Sequence, residues 1–231
     1  MKENYAYKYE MHLHTSPCSG GGEDIRAHID DLIGKGFSGM VVTNHFYLGD
    51  NRVDRNLPWK EFVDAYRQDY LYGLEYARAL DFDLLFGLEE HVGHGQEILI
   101  YGISPELIEA HPELKGASAE KYAEVVHSAG GLVYQAHPYR DRHYITKPFP
   151  LECLDCLDGI EVLNAGNFPE WNESARRLAD ERGLACVAGS DAHTIGTAGR
   201  AGIAAKERIK SNEDLVRILK SGAYVIIPTE A

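Results

Sequence analysis

His12-Leu13-His14 and Asp191-Ala192-His193 share one spacing, two ligand-type side chains separated by a single residue. On a strand, residues i and i+2 point to the same face. Two imidazoles, or a carboxylate and an imidazole, can then reach one metal ion while the middle residue packs behind. Gly189-Ser190 before the second pair lets the backbone turn at a strand end. Either pair alone also describes strand residues that are solvated or held by hydrogen bonds. His45 follows Val41-Val42-Thr43-Asn44, and His137 follows Leu132-Val133-Tyr134-Gln135-Ala136. Read singly, each is a buried histidine bonded to backbone. Glu89 and Glu90 follow Leu84-Leu85-Phe86-Gly87-Leu88, and Glu97 opens the run Ile98-Leu99-Ile100-Tyr101. A carboxylate directly after a buried strand is costly unless it is paired or binds a cation. Its two oxygens can bridge two cations, which an imidazole cannot do.

The elements that must position these groups follow from apolar runs and turn residues. Strands are expected at Tyr7–Leu13, Met40–Thr43, Asp83–Gly87, Ile98–Tyr101, Leu132–Gln135, Ile160–Leu163, Cys186–Gly189, Ala201–Ala205 and Tyr224–Ile227. Helices are expected at Glu23–Lys35, Trp59–Leu80, Ala119–Ala129, Trp171–Glu181 and Glu213–Lys220. Strands alternating with helices imply βαβ units and a mostly parallel sheet. Several strands then carry a metal-type ligand at or just past their C-terminal ends. In a parallel barrel those ends share one rim, where active sites are built.

Composition narrows the function classes. The chain has 231 residues, 44% hydrophobic and 26% charged, and is read as one domain over 1–231. Its net charge of −13 argues against binding long nucleic acid through a basic surface, and against anionic membranes. Phosphorylated small molecules stay open, because bound metal ions can reverse the local sign. Four cysteines imply no disulfide framework, and the N-terminal residues carry no apolar leader pattern, so a cytoplasmic protein is expected.

The segments MHLHT, VVTNHF, GLEE, QAHPYR and GSDAHT occur in the order of the motifs of the PHP (polymerase and histidinol phosphatase) family, which the chain resembles over nearly its whole length. That resemblance implies a distorted (β/α)7 TIM-like barrel with two or three divalent metal ions and phosphoester hydrolysis. It implies that His12, His14, Glu89 and Asp191 hold one ion. Glu89 would bridge to a second, also held by His137, and His45 and His193 would serve a third. Three positions depart from the pattern. Glu10 stands where the family has Asp. Ser19 and Gly20 stand where it supplies another ligand, unless Cys18, Glu23 or Asp24 substitutes. Glu97 stands near the place of a usual His, which makes it the candidate for the second ion's remaining ligand.

The expected activity is hydrolysis of a small phosphomonoester, histidinol-phosphatase-like, by a metal-activated hydroxide with Glu89, Asp191 and His193 in catalytic roles. Histidine-rich ligation suits Zn, Fe or Mn better than Mg. Arg140 and Arg200 are candidates to fork onto phosphate, or else form surface salt bridges. His193 and His143 are candidates for the general acid. Competing readings are a nuclease acting on nucleotides or DNA ends, a metal-dependent amidohydrolase, and a non-catalytic metal-binding regulatory module. His91 and His94 read as loop residues, the CxxC pair Cys153 and Cys156 as a packed segment, and Gly20-Gly21-Gly22 as a loop.

Overall fold

Val41 faces one apolar cluster while its neighbours Met40 and Val42 face another. This alternation explains the continuous apolar runs, since strands covered on both faces need no polar side. The computed structural model describes residues 5–18 and 22–228. Ser19, Gly20 and Gly21, where the family ligand and part of the glycine loop would fall, lie outside the described residues.

The first sheet contains β1 (Tyr7–Glu10), β2 (Gly39–Val42), β3 (Asp83–Phe86), β9 (Ala201–Ala205) and β10 (Tyr224–Pro228), in the order β10-β9-β1-β2-β3. The second contains β4 (Leu88–Gly93), β5 (Gln96–Tyr101), β6 (Leu132–Gln135), β7 (Gly159–Asn164) and β8 (Ala185–Gly189), in sequence order. Between them run α1 (Ile25–Gly34), α2 (Trp59–Tyr66), α3 (Gln68–Ala79), α4 (Pro105–Ala110), α5 (Ala119–Ser128), α6 (Pro169–Arg182) and α7 (Asn212–Ser221). Among the described residues, no helix is long and apolar enough to cross a membrane.

The expected closed, mostly parallel barrel is not what forms. Each sheet is mixed: β1/β9, β9/β10, β4/β5 and β5/β6 pair antiparallel, while β1/β2, β2/β3, β6/β7 and β7/β8 pair parallel. The sheets are joined at the site by single bridges, Leu13 to Ala192 and His45 to Glu89, instead of a continuous ladder. Two local features break the parallel pattern. At Gly87 the chain leaves the first sheet for the second, and a Cβ there would lie 2.7 Å from Val41 Cγ1 and 2.8 Å from Ile100 O. Then β4 and β5 form a hairpin through His94 and Gly95, both at positive φ (56° and 79°), which is the backbone of a two-residue primed turn.

The interior cluster draws Tyr9, Met11, Val41 and Leu85 from the first sheet's side and Leu99, Tyr101, Tyr134 and Val187 from the second. Leu215, Ile218 and Leu219 of α7 close it from one end. Expected Trp59–Leu80 divides into α2 and α3 at Arg67. Expected Tyr7–Leu13 stops pairing regularly at Glu10. There the Glu10 carboxylate takes the Met11 and His12 N–H groups at 3.0 and 3.1 Å, removing them from any ladder.

The hairpin turn carries a second contact. A Cβ on Gly95 would lie 2.6 Å from Ile145 Cα and 2.7 Å from Tyr144 O, on a backbone that already disfavours side chains. Gly95→Ala is therefore expected to push residues 144–146 off the hairpin and to lower stability by about 1–3 kcal/mol. Chemical denaturation measures the loss, and faster amide exchange at Thr146 locates it.

Candidate metal centre

Each ligand-type residue arrives at the seam between the sheets by its own route. His12 and His14 follow β1 on the strand-like segment bridged at Leu13. His45 follows β2, Glu89 lies on β4 just past the Gly87 bend, Glu97 lies on β5, and His137 follows β6. Asp191 and His193 follow β8. His137 and Asp191 both adopt positive φ (28° and 53°), a strained backbone for non-glycine residues that is typical of functional sites.

The Glu89 carboxylate is the centre. Oε1 lies 3.1 Å from His12 Nε2 and 3.2 Å from His137 Nε2; Oε2 lies 2.9 Å from His45 Nδ1 and 3.3 Å from His14 Nε2. Asp191 Oδ1 is 3.2 Å from His14 Nε2 and 3.5 Å from His12 Nε2. Glu97 lies 3.3 Å from His137 Nε2 and 3.6 Å from His45 Nδ1. The His193 ring stacks on His14 at 4.2 Å between centroids. Three sets of donors could each enclose one ion: His12, His14, Glu89 and Asp191; His45, Glu89 and Glu97; and His14, His45 and His193. His137, expected beside Glu89, is there through its contacts with Glu89 and Glu97.

These residues fit a divalent cation. His12 Nε2, His14 Nε2, His45 Nδ1 and Glu89 Oε2 are buried side-chain atoms that complete no hydrogen bond. Buried polar atoms are almost always satisfied, so three imidazole nitrogens and an oxygen of the carboxylate they face need a partner of another kind. The electrostatics agree. Burial opposes ionisation of Glu89, yet the charges of His12 and His45 hold its carboxyl well below the usual range. Burial also opposes ionisation of Asp191, and Arg140 and His12 outweigh it. Burial, reinforced by the His45 charge, pushes His14 down to about 3, so its imidazole is neutral with a lone pair to offer. His45 is drawn the other way, to about 9, because the Glu89 charge overcomes its burial. Bound cations would replace these protons as the counter-charge.

Behind the ligands lies a second set of residues that the motif reading missed. Glu161 on β7 is buried, and its Oε1 accepts from His12 Nδ1 at 3.0 Å. Its Oε2 accepts the His137 N–H at 3.0 Å and Asn164 Nδ2 at 2.9 Å. One carboxylate thus orients two candidate ligands, a common arrangement behind metal-bound histidines. A lone Glu inside Gly159-Ile160-Glu161-Val162-Leu163 was the available signal. Glu10 is not a ligand. Its Oε1 also takes the Ser190 N–H at 2.9 Å and its Oε2 the Gly199 N–H at 2.9 Å, so it ties the His12 segment to the turn carrying Asp191.

The suggested replacement ligands do not join the cluster. Cys18 Sγ sits 3.5 Å from His14 Nδ1, behind the ring, and accepts the His45 N–H at 3.3 Å. Asp24 caps α1, and Glu23 bridges to Thr15 through its backbone. Arg140 is neither a surface ion pair nor free. Its Nη2 donates to Asp191 Oδ2 at 2.5 Å and Asn164 Oδ1 at 3.0 Å, and its Nε to Asn167 Oδ1 at 2.9 Å. Arg200 is exposed and does not line the cavity over the cluster, and neither does His143, also exposed. His91 departs from the expected loop: it lies on β4 and lines that cavity, its Nε2 accepting the Gly95 N–H at 3.0 Å. Cys153 and Cys156 flank a short 3-10 turn, half-buried as expected of a packed segment.

The cavity is about 380 Å³, open to solvent, with Glu89, Glu97, Asp191 and His193 in its lining. The chain shares its fold with a two-domain protein from Bacteroides vulgatus that contains a predicted PHP-like metal-dependent phosphoesterase (TM-score 0.68, 19% identity). The match covers 96% of this chain and 64% of that one, so this chain spans under two thirds of the longer protein. PsfC from Pseudomonas syringae is similar at TM-score 0.65 and 17% identity, over 91% of this chain and 88% of its own. An amidohydrolase from Chromobacterium violaceum, solved with bound sulfate and no metal, is similar at 0.61 and 15%, over 95% and 97%. No curated protein matches. Residues 169–224 match the model PHP_C, PHP-associated, a segment that runs from α6 to β10 and delivers Asp191 and His193 to the cluster. That segment matches a PHP-associated family model, and the fold is shared with a protein described as containing a PHP-like domain.

Proposed function

We propose that the protein is a metal-dependent phosphoesterase that hydrolyses a small phosphomonoester. One observation carries the reading: a single buried carboxylate, Glu89, touches four imidazoles, and on three of them the nitrogen facing it completes no hydrogen bond. His12, His14, Glu89 and Asp191 would hold one divalent ion, and Glu89 with Glu97, His45 and His137 a second. His193 with His14 and His45 forms a further candidate set. Bound ions of this kind supply Lewis acidity and a water acidic enough to ionise near neutral pH.

The protein's own residues do the rest. Arg140 holds Asp191 in place and brings positive charge to an otherwise acidic cavity, which favours an anionic substrate. Glu161 keeps His12 turned so that Nε2 faces the cluster. His193 places Nδ1 3.3 Å from the Asp191 carbonyl oxygen, which leaves Nε2 to meet an ion or a substrate proton. A cavity near 380 Å³ suits a small ester better than a polymer, as does the net charge of −13. The bound sulfate in the Chromobacterium violaceum amidohydrolase supports an oxyanion site on this fold.

A panel of small phosphomonoesters, phosphodiesters and amides, assayed on protein of measured metal content, tests the reading. Turnover of a phosphomonoester that is abolished by chelation and restored by Mn or Zn is expected. Amide hydrolysis without phosphoester turnover would contradict it.

A further inference from the structure

The loop between β6 and β7 reaches back over the cluster, and its tip is clamped. Ile145 is buried, Thr146 N–H donates to His94 O at 2.9 Å, and His94 Nδ1 lies 3.0 Å from Thr146 Oγ1. Gly95 lets this tip lie against the hairpin, as described above. The residue so presented is Tyr144. Its side chain lines the same cavity as Glu89, Asp191 and His193, while much of the residue, 48%, stays exposed.

Tyr144 and Arg140 share the wall of that cavity. A phenol carries one O–H that it can donate to an oxygen acceptor. Arg140 cannot serve an incoming anion freely, since it is engaged with Asp191, Asn164 and Asn167. Among the described residues, no other Lys or Arg lines the cavity. An oxyanion resting on the cluster therefore meets few protein donors, and the Tyr144 O–H at the wall is one of them.

We propose that Tyr144 contacts the substrate, its hydroxyl donating a hydrogen bond to a peripheral oxygen of the phosphoryl group while its ring forms part of the cavity mouth beside Leu48. This assignment rests on the phosphoester reading.

The test uses full-length protein reconstituted with Mn or Zn, as wild type, Tyr144→Phe and Gly95→Ala. Metal content, calorimetric binding of inorganic phosphate, and kcat and KM for p-nitrophenyl phosphate are measured on each. Tyr144→Phe is expected to keep its metal and to bind phosphate about tenfold more weakly, the effect of one lost hydrogen bond to a charged group. Gly95→Ala, which moves the loop and keeps the hydroxyl, should weaken phosphate binding in the same direction at unchanged metal content. Equal phosphate affinity in wild type and Tyr144→Phe overturns the assignment. Loss of metal from Tyr144→Phe also overturns it, since the residue would then be supporting Arg140 and Asp191 alone. If wild type neither binds phosphate nor turns over the ester, the phosphoester reading fails and takes this assignment with it.

Discussion

Glu89→Gln is expected to lower turnover on the order of 100-fold or more and to reduce the metal content of the purified protein. The substitution preserves volume, so packing around β4 should survive. It removes the negative charge that four imidazoles face, and it replaces one oxygen with an NH2 group. Whichever way the amide turns, its donors point at two imidazole nitrogens that must keep lone pairs to bind a cation. Both candidate ligand sets that share Glu89 are disabled together. Steady-state kinetics and elemental analysis check this, with circular dichroism to show the variant is folded. Near-normal activity in a folded variant would move the bridging role to another carboxylate.

Glu161→Gln should act one layer further out. At present one oxygen accepts from His12 Nδ1 and the other from two donors, the His137 N–H and Asn164 Nδ2. A glutamine can satisfy one side only. With its oxygen toward His12, its NH2 faces two donors; reversed, it faces His12 Nδ1. Metal affinity is expected to fall about 10–100-fold, the usual cost of losing such a partner. Competition with a fluorescent chelator measures it. Unchanged affinity would show that Glu161 serves packing alone.

Much of the site was legible because its ligands lie close to short motifs. The i, i+2 spacing of His12/His14 and Asp191/His193, and the position of Glu89 after an apolar strand, are local features. The structure brings all eight expected ligand-type residues to one seam. What escaped the reading depends on partners distant in the chain. Glu161 and His12 are 149 residues apart, and Glu10 reaches Gly199 across 189. Arg140 was visible, but its commitment to Asp191 was not, because that choice depends on how two loops meet.

The fold was overread for a related reason. Alternating strands and helices describe connectivity and say little about whether a ladder closes. The β4–β5 hairpin did have a local signal in Gly93-His94-Gly95, where glycines frame a turn at positive φ. That hairpin adds an antiparallel strand, β4, which the expected strand set does not contain. His91 lines the cavity only because β4 forms, so its place depends on the same hairpin.

The Glu89 cluster is expected to bind more than one divalent cation. Elemental analysis of the purified chain, before and after reconstitution with Mn or Zn, tests it most directly when paired with anomalous scattering from crystals. More than one ion per chain is expected, with anomalous peaks on both sides of the Glu89 carboxylate. Less than one ion per chain after reconstitution, or a single peak that does not touch Glu89, would contradict it.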